Sequence, residues 1–284
     1  MTLIVGILCS DGVVMASDSA ATLSTGMAPT IGQQAVKKVL NLSNAILYAS
    51  TGSVGMSQLV WHTVSTLWKK NPSPLQNAPD DGSLMKVLGS EIANTVGQYL
   101  QTGALIRQFG IDGSASLCKS LIAIPVQRIP TLFTFDYGGQ PEMATAELPF
   151  VAIGSGQTIA DPFLAFLKRL LWPKRLPTLA EGRLAAVWTI AHVTLTNPGG
   201  VGGDTQLWIL PRAPAGQMPV PVEITQAQIQ EHLAQIAAAA TAMVGAITQQ
   251  PPGPGAGAQP GPAAAPPPAG PGPAPAAAPG GAAA

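Results

Sequence analysis

A threonine at position 2 brings two reactive groups onto one residue once the initiator methionine is removed: a hydroxyl nucleophile and a free α-amine. An α-amine has a pKa of about 7.7, so a useful fraction is neutral near neutral pH and can take the hydroxyl proton. Such a nucleophile also needs a cation that lowers its proton affinity and a carboxylate that holds the cation in place. Lys38 and Asp18 supply these two groups. The chemistry they indicate is hydrolysis through an acylated threonine.

That chemistry needs both side chains close to the start of the chain, and the elements read from the sequence bring them there. Residues 3–9 are apolar and β-rich, Ser10-Asp11-Gly12 is a turn, and 13–17 form a second strand, so the chain opens on a hairpin with Asp18 at its end. A polar segment broken by Gly and Pro, 19–34, follows. Short-strand patterns over 36–42 and 45–50 predict a second hairpin, with Lys38 entering it. Apolar residues at helical spacing predict a helix over 53–70, with Ser53 as N-cap, and another from Leu84 to Leu100. Strands are expected over 117–126, 131–137 and 144–153, helices over 158–171 and 178–194, and a last strand over 205–210. The order of strands, two helices, strands, two helices and strand predicts an α+β fold with two sheets packed together between helical layers.

The domain reading has three parts. Residues 1–212 form the core domain, and 213–249 are a linker and an accessory helix whose Ile224, Ile229, Leu233 and Ile236 share one stripe. Residues 250–284 contain only Pro, Gly, Ala and Gln and are expected to be disordered. The accessory helix packs on the core, on a neighbouring subunit, or on a docking partner.

Composition narrows the function classes. Charged residues are 10% of the chain and the formal net charge is zero, so the surface is poor in charge and subunit interfaces are expected. No basic cluster exceeds Lys37-Lys38 or Lys69-Lys70, which excludes the electrostatic footprint of a nucleic-acid binder. Cys9 and Cys118 lie far apart without ligand spacing, so no disulfide framework, zinc site or other metal or cofactor is expected, and a reducing, cytoplasmic setting fits. The apolar run before Cys9 lacks a preceding Lys or Arg and meets Asp11 at once, unlike a signal peptide. The longest apolar stretch, 236–247, is too short for a membrane span.

Several pieces, in order, resemble proteasome β subunits and their bacterial relatives. They are Thr2-Leu3-Ile4-Val5-Gly6-Ile7, Asp11-Gly12-Val13-Val14-Met15-Ala16-Ser17-Asp18, Ala21-Thr22, Val36-Lys37-Lys38-Val39, Thr51-Gly52-Ser53-Val54-Gly55 and Gly154-Ser155-Gly156. The bacterial relatives are HslV, the ancestral β-like Anbu proteins and the β-proteobacterial proteasome homologues, which the chain resembles because no long propeptide precedes Thr2. The resemblance spans roughly residues 2–210. It implies the N-terminal nucleophile hydrolase fold, a four-layer αββα sandwich of two antiparallel sheets, and a threonine peptidase acting inside stacked homo-oligomeric rings on peptides or unfolded proteins. An ATPase unfoldase feeding the chamber is a partner that the resemblance leaves open.

The resemblance also implies site roles. Thr2 attacks the scissile carbonyl, Lys38 tunes its hydroxyl, Asp18 holds Lys38, and Ser155 positions the Thr2 amine. The Gly52 N–H stabilises the oxyanion, Thr22 and Gly52 bind the substrate backbone, and Ala21, Val36, Ser50 and Val54 line a specificity pocket suited to uncharged side chains. The family's second supporting aspartate should fall within 196–203, where Asn197 is nearest and Asp204 a poorer substitute.

Plainer readings stand beside these. Asp18 suits a turn, Lys38 a solvated pair, and Ser155 a helix N-cap. His62, His192 and His232 sit in helical patterns without a partner at triad or ligand spacing, which favours packing or surface roles. Two other functions compete: a catalytically silent scaffold with the same fold, and an exported lipoprotein anchored at Cys9.

Overall fold

The computed structural model describes residues 2–24, 29–110, 117–197 and 200–248, so the tail expected over 250–284 lies outside them. Two compact units meet in sequence between Ala239 and Ala240.

The opening hairpin consists of β1 (Leu3–Cys9) and β2 (Gly12–Ser17). The polar segment broken by Gly and Pro holds two strands, β3 (Ala20–Ser24) and β4 (Pro29–Ala35), which among the described residues pair only with each other. Main-chain pairing rather than an apolar period makes this ribbon, which is why its sequence carries no strand signal. The strand expected from residue 36 begins at Val39, because 36–38 carry the chain from the ribbon into a different sheet: β5 (Val39–Leu42) pairs with β6 (Ile46–Gly52).

Helix α1 (Val54–Lys69) starts where Ser53 Oγ accepts the Met56 N–H, and α2 (Asp81–Arg107) starts where Asp80 accepts the Ser83 N–H. Strands β7 (Cys118–Val126) and β8 (Ile129–Phe135) extend the sheet of β5 and β6, and a three-residue β9 (Pro141–Met143), too short to show a pattern, closes it. The strand expected over 144–153 shortens to β10 (Phe150–Gly154), since Thr145 and Leu148 close a turn ahead of it. Helices α3 (Gln157–Leu171) and α4 (Leu179–Thr196) follow, then β11 (Gln206–Pro211), β12 (Val222–Glu223) and α5 (Gln226–Thr248).

The result is a mixed α+β fold with antiparallel sheets. One sheet has the order β10-β1-β2-β11-β12 and the other β5-β6-β7-β8-β9. Alternation along the strands divides the core into three clusters. Leu3, Val5, Ile7, Val14 and Ala16 pack with Leu164, Leu167, Ala186 and Ile190 of α3 and α4. From the opposite faces of the same strands, Ile4, Val13 and Met15 meet Leu47, Ala49, Leu121 and Leu132 of the second sheet. That sheet turns Tyr48, Ile122 and Phe133 onto Val60, Val64, Leu88 and Ile92 of α1 and α2. Both faces of each sheet are therefore buried, so β1, β2 and β7 read as continuous apolar runs instead of alternating ones. Ile229 of α5 is buried in the first cluster, with Leu233 and Ile236 packed against it.

Candidate active site

The site is built where β1 lies between β2 and β10. Leu3 pairs with Gly154, and Ile4 pairs with both Ile153 and Ser17. Thr2 stands one residue ahead of the ladder and is strapped to the turn after β10. Its N–H donates to Ser155 Oγ at 3.1 Å, and its carbonyl accepts the Gly156 N–H at 3.3 Å and the Ser155 hydroxyl at 3.4 Å. Gly154 is needed for so close an approach. Its φ is +107°, and a Cβ there would lie 2.2 Å from the Thr2 carbonyl oxygen.

Asp18 follows β2 directly and has no exposed surface. Its Oδ1 accepts the Leu3 N–H at 2.9 Å and the Lys38 ammonium at 2.7 Å, while Oδ2 accepts the Gly202 N–H at 3.2 Å. Lys38 Nζ also donates to the Ala20 carbonyl at 2.6 Å, and its side chain is only 6% exposed. Burial lowers the Lys38 pKa below its ordinary value, an effect that Asp18 offsets in part. A single carboxylate thus joins the main chain next to Thr2, a buried cation and the 202 turn.

The remaining sequence candidates are placed as follows. Gly52 ends β6 in the second sheet with φ +107°, and a Cβ there would stand 2.3 Å from the Leu117 carbonyl oxygen, so no other residue fits. Ser50 lies two residues earlier on the same strand, and its hydroxyl is hydrogen-bonded to that of Ser57. Beneath them the Tyr48 hydroxyl meets the Ser57 carbonyl at 3.0 Å and Ser120 Oγ at 3.2 Å. Val54 opens α1 and is 63% exposed. Ala21 is half-buried in β3, Thr22 follows it with its side chain outside those described, and Val36 is half-buried beyond β4.

Asn197 acts through its main chain. It caps α4 by donating to the Val193 carbonyl, and its own carbonyl accepts the Gly200 and Val201 N–H groups; its side chain makes no hydrogen bond among the described residues. Asp204 is exposed, and its carboxylate has no hydrogen bond or ion pair among the described residues. The 202 turn reaches the site by main chain instead: the Gly202 carbonyl accepts the Ser19 and Ala20 N–H groups.

One further side chain converges here without any sequence signal. Gln206, at the start of β11, accepts the Lys38 N–H at 2.9 Å and the Val39 N–H at 3.4 Å on Oε1, and donates from Nε2 to the Val36 carbonyl. It is 168 positions from Lys38, and only the pairing of β2 with β11 brings it near.

With this geometry in view, solved structures place the architecture. The chain has a proteasome-like fold. It matches the Anbu complex from Pseudomonas aeruginosa, described as a helical assembly, at 17% identity and a TM-score of 0.63, over 90% of this chain and 100% of that one. It matches Anbu (ancestral beta-subunit) from Yersinia bercovieri at 16% identity and a TM-score of 0.59, over 88% and 97% of the two chains. An Anbu (Gly-1) mutant from Hyphomicrobium sp. strain MC1 gives 18% identity and a TM-score of 0.59, over 89% and 99%. At such identities the likeness is one of fold. No protein-family model and no curated protein matches the sequence. No helix among the described residues is long and apolar enough to cross a membrane.

Proposed function

We propose that this chain is a threonine peptidase of the N-terminal nucleophile type, with Thr2 as nucleophile after removal of Met1. The observation that carries this reading is the buried Asp18–Lys38 pair, tied through Asp18 Oδ1 to the Leu3 N–H beside Thr2. A surface role for Lys38 does not account for an ammonium held at 6% exposure against burial that disfavours its charge. In the reaction, Thr2 Oγ1 attacks the scissile carbonyl carbon while the α-amine takes the hydroxyl proton. The Gly52 N–H donates to the oxyanion, the leaving amine departs with the proton, and water then hydrolyses the threonine ester. Ser155 Oγ, already within hydrogen-bond reach of Thr2 N, orients the amine.

The helix and sheet packing is read as the four-layer αββα sandwich of that hydrolase class, occupying residues 1–212, with α5 as an accessory element. Ala21, Thr22, Val36, Ser50 and Val54 then form the substrate-facing surface, and the exposed Val54 and the Ser50–Ser57 hydroxyl pair favour uncharged side chains. The described helical assembly of an Anbu complex and the weakly charged surface together support self-association into rings or helices that enclose Thr2. Peptides or unfolded proteins are the substrates, and the cytoplasm is the setting.

Intact mass and labelling by a threonine-directed covalent peptide inhibitor test the proposal. The expected result is loss of Met1 and one label on Thr2, absent in Thr2→Ala, with a labelling rate that rises as the α-amine loses its proton near pH ~7.7. Retained Met1 with no label would sink it. That outcome favours the silent-scaffold reading, which one observation supports: Asn197 stands near the place of a second aspartate, and among the described residues only its main chain hydrogen-bonds.

A further inference from the structure

The segment 36–38 lies between two strands that belong to different sheets, so no ladder neighbour satisfies its backbone. A chain crossing of this kind must find other partners for its N–H and C=O groups. Ser19 supplies one, its carbonyl accepting the Val36 N–H at 2.9 Å. Gln206 supplies three more across 36–39: its Oε1 takes the Lys38 and Val39 N–H groups and its Nε2 donates to the Val36 carbonyl.

We infer that Gln206 is the positioning residue of the site, a side-chain substitute for a neighbouring strand that fixes the main chain of 36–39 so that Lys38 reaches Asp18 and the Ala20 carbonyl. The inference rests on the peptidase reading for its catalytic consequence, but not for its structural one. A primary amide meets this demand with two separate atoms. Its oxygen accepts from two donors while its nitrogen donates to a carbonyl; a carboxylate cannot donate, and an ammonium or guanidinium cannot accept. The anchor is also rigid. Gln206 is the first residue of β11 and pairs with Ser17, the residue before Asp18, so one strand pairing holds both the carboxylate and the clamp on its cation.

Gln206→Met preserves size and removes all three hydrogen bonds; Gln206→Glu keeps the acceptor and loses the donor. Two measurements on the full-length protein test the inference. The first is the Lys38 side-chain titration by NMR, with Asp18 the charged group facing the ammonium. Burial depresses the wild-type value, so a Lys38 released to solvent titrates higher in Gln206→Met, the variant that adds no charge. The second is Thr2 labelling resolved into kinact and KI. In Gln206→Met kinact should fall about tenfold or more, the scale of a misplaced catalytic group, with KI changed less than about twofold.

An unshifted Lys38 titration in Gln206→Met overturns the inference. So does a fall in kinact matched by a comparable rise in KI and a lower melting temperature, which signals general loosening. If wild-type Thr2 takes no label while the Lys38 titration still moves, Gln206 stands as the residue that places Lys38 and the peptidase reading falls.

Discussion

Asp18 and Lys38 each lose water on folding, a desolvation cost that their pairing must offset. The ion pair is stable because every Asp18 oxygen also accepts a main-chain N–H, from Leu3 on one side and Gly202 on the other. Removing one partner is therefore worse than removing both. Asp18→Ala leaves a buried ammonium with only the Ala20 carbonyl of the two bonds described for it, and should cost about 3–5 kcal/mol in urea denaturation. Asp18→Ala combined with Lys38→Met should recover part of that loss without restoring Thr2 labelling. Equal stability of the single and double variants would contradict the coupling. At this scale the residue types were legible in the sequence: an early threonine, an aspartate closing a hairpin and a lysine entering the next. Gln206 was not, because nothing in a lone glutamine marks which backbone segment it will meet.

The elements that deliver these residues are set by local signals of unequal strength. Helix α4 is the clearest: Thr178 Oγ1 accepts the Glu181 N–H while the Glu181 carboxylate accepts the Thr178 N–H, a reciprocal cap that fixes where the helix begins. Thr178→Ala should cost about 1 kcal/mol. Hydrogen bonding to Arg175 is the main cause that pulls the Glu181 pKa down to about 2. A carboxyl with a depressed folded pKa contributes stability above its unfolded value of about 4.3 and loses it as the pH falls toward 2. Glu181→Gln should therefore flatten the loss of stability in that acid range, as read from melting temperature against pH; an unchanged slope would refute it. The opening hairpin, the Ser53 cap and the extents of α1 and α4 followed from the sequence, whereas α2 runs from Asp81 to Arg107, past the expected 84–100. The ribbon of β3 and β4 did not follow from it, since among the described residues its strands pair only with each other.

For the whole molecule, the surface is sparse in charge and carries exposed apolar side chains. Leu195 is 82% exposed and Phe109 80%, on a chain with only 10% charged residues. A net charge of zero on so weakly charged a surface favours association between subunits. Light scattering should give a mass several times the 28.9 kDa of one chain. A strictly monomeric protein at micromolar concentration would remove the enclosed-chamber part of the proposed function while leaving the Thr2 chemistry to be judged by labelling.

The sequence by itself determined the class of fold and three of the chemical groups, because apolar periodicity, capping residues and a threonine at position 2 are properties of neighbours along the chain. Tertiary structure alone decided how those groups meet. The junction of β1, β2 and β10 sets Thr2 against Ser155, 153 positions away. The pairing of β2 with β11 brings the Gly202 N–H and the Gln206 amide to Asp18 and to the segment carrying Lys38. Contacts of that separation depend on sheet order and register, which no local pattern encodes.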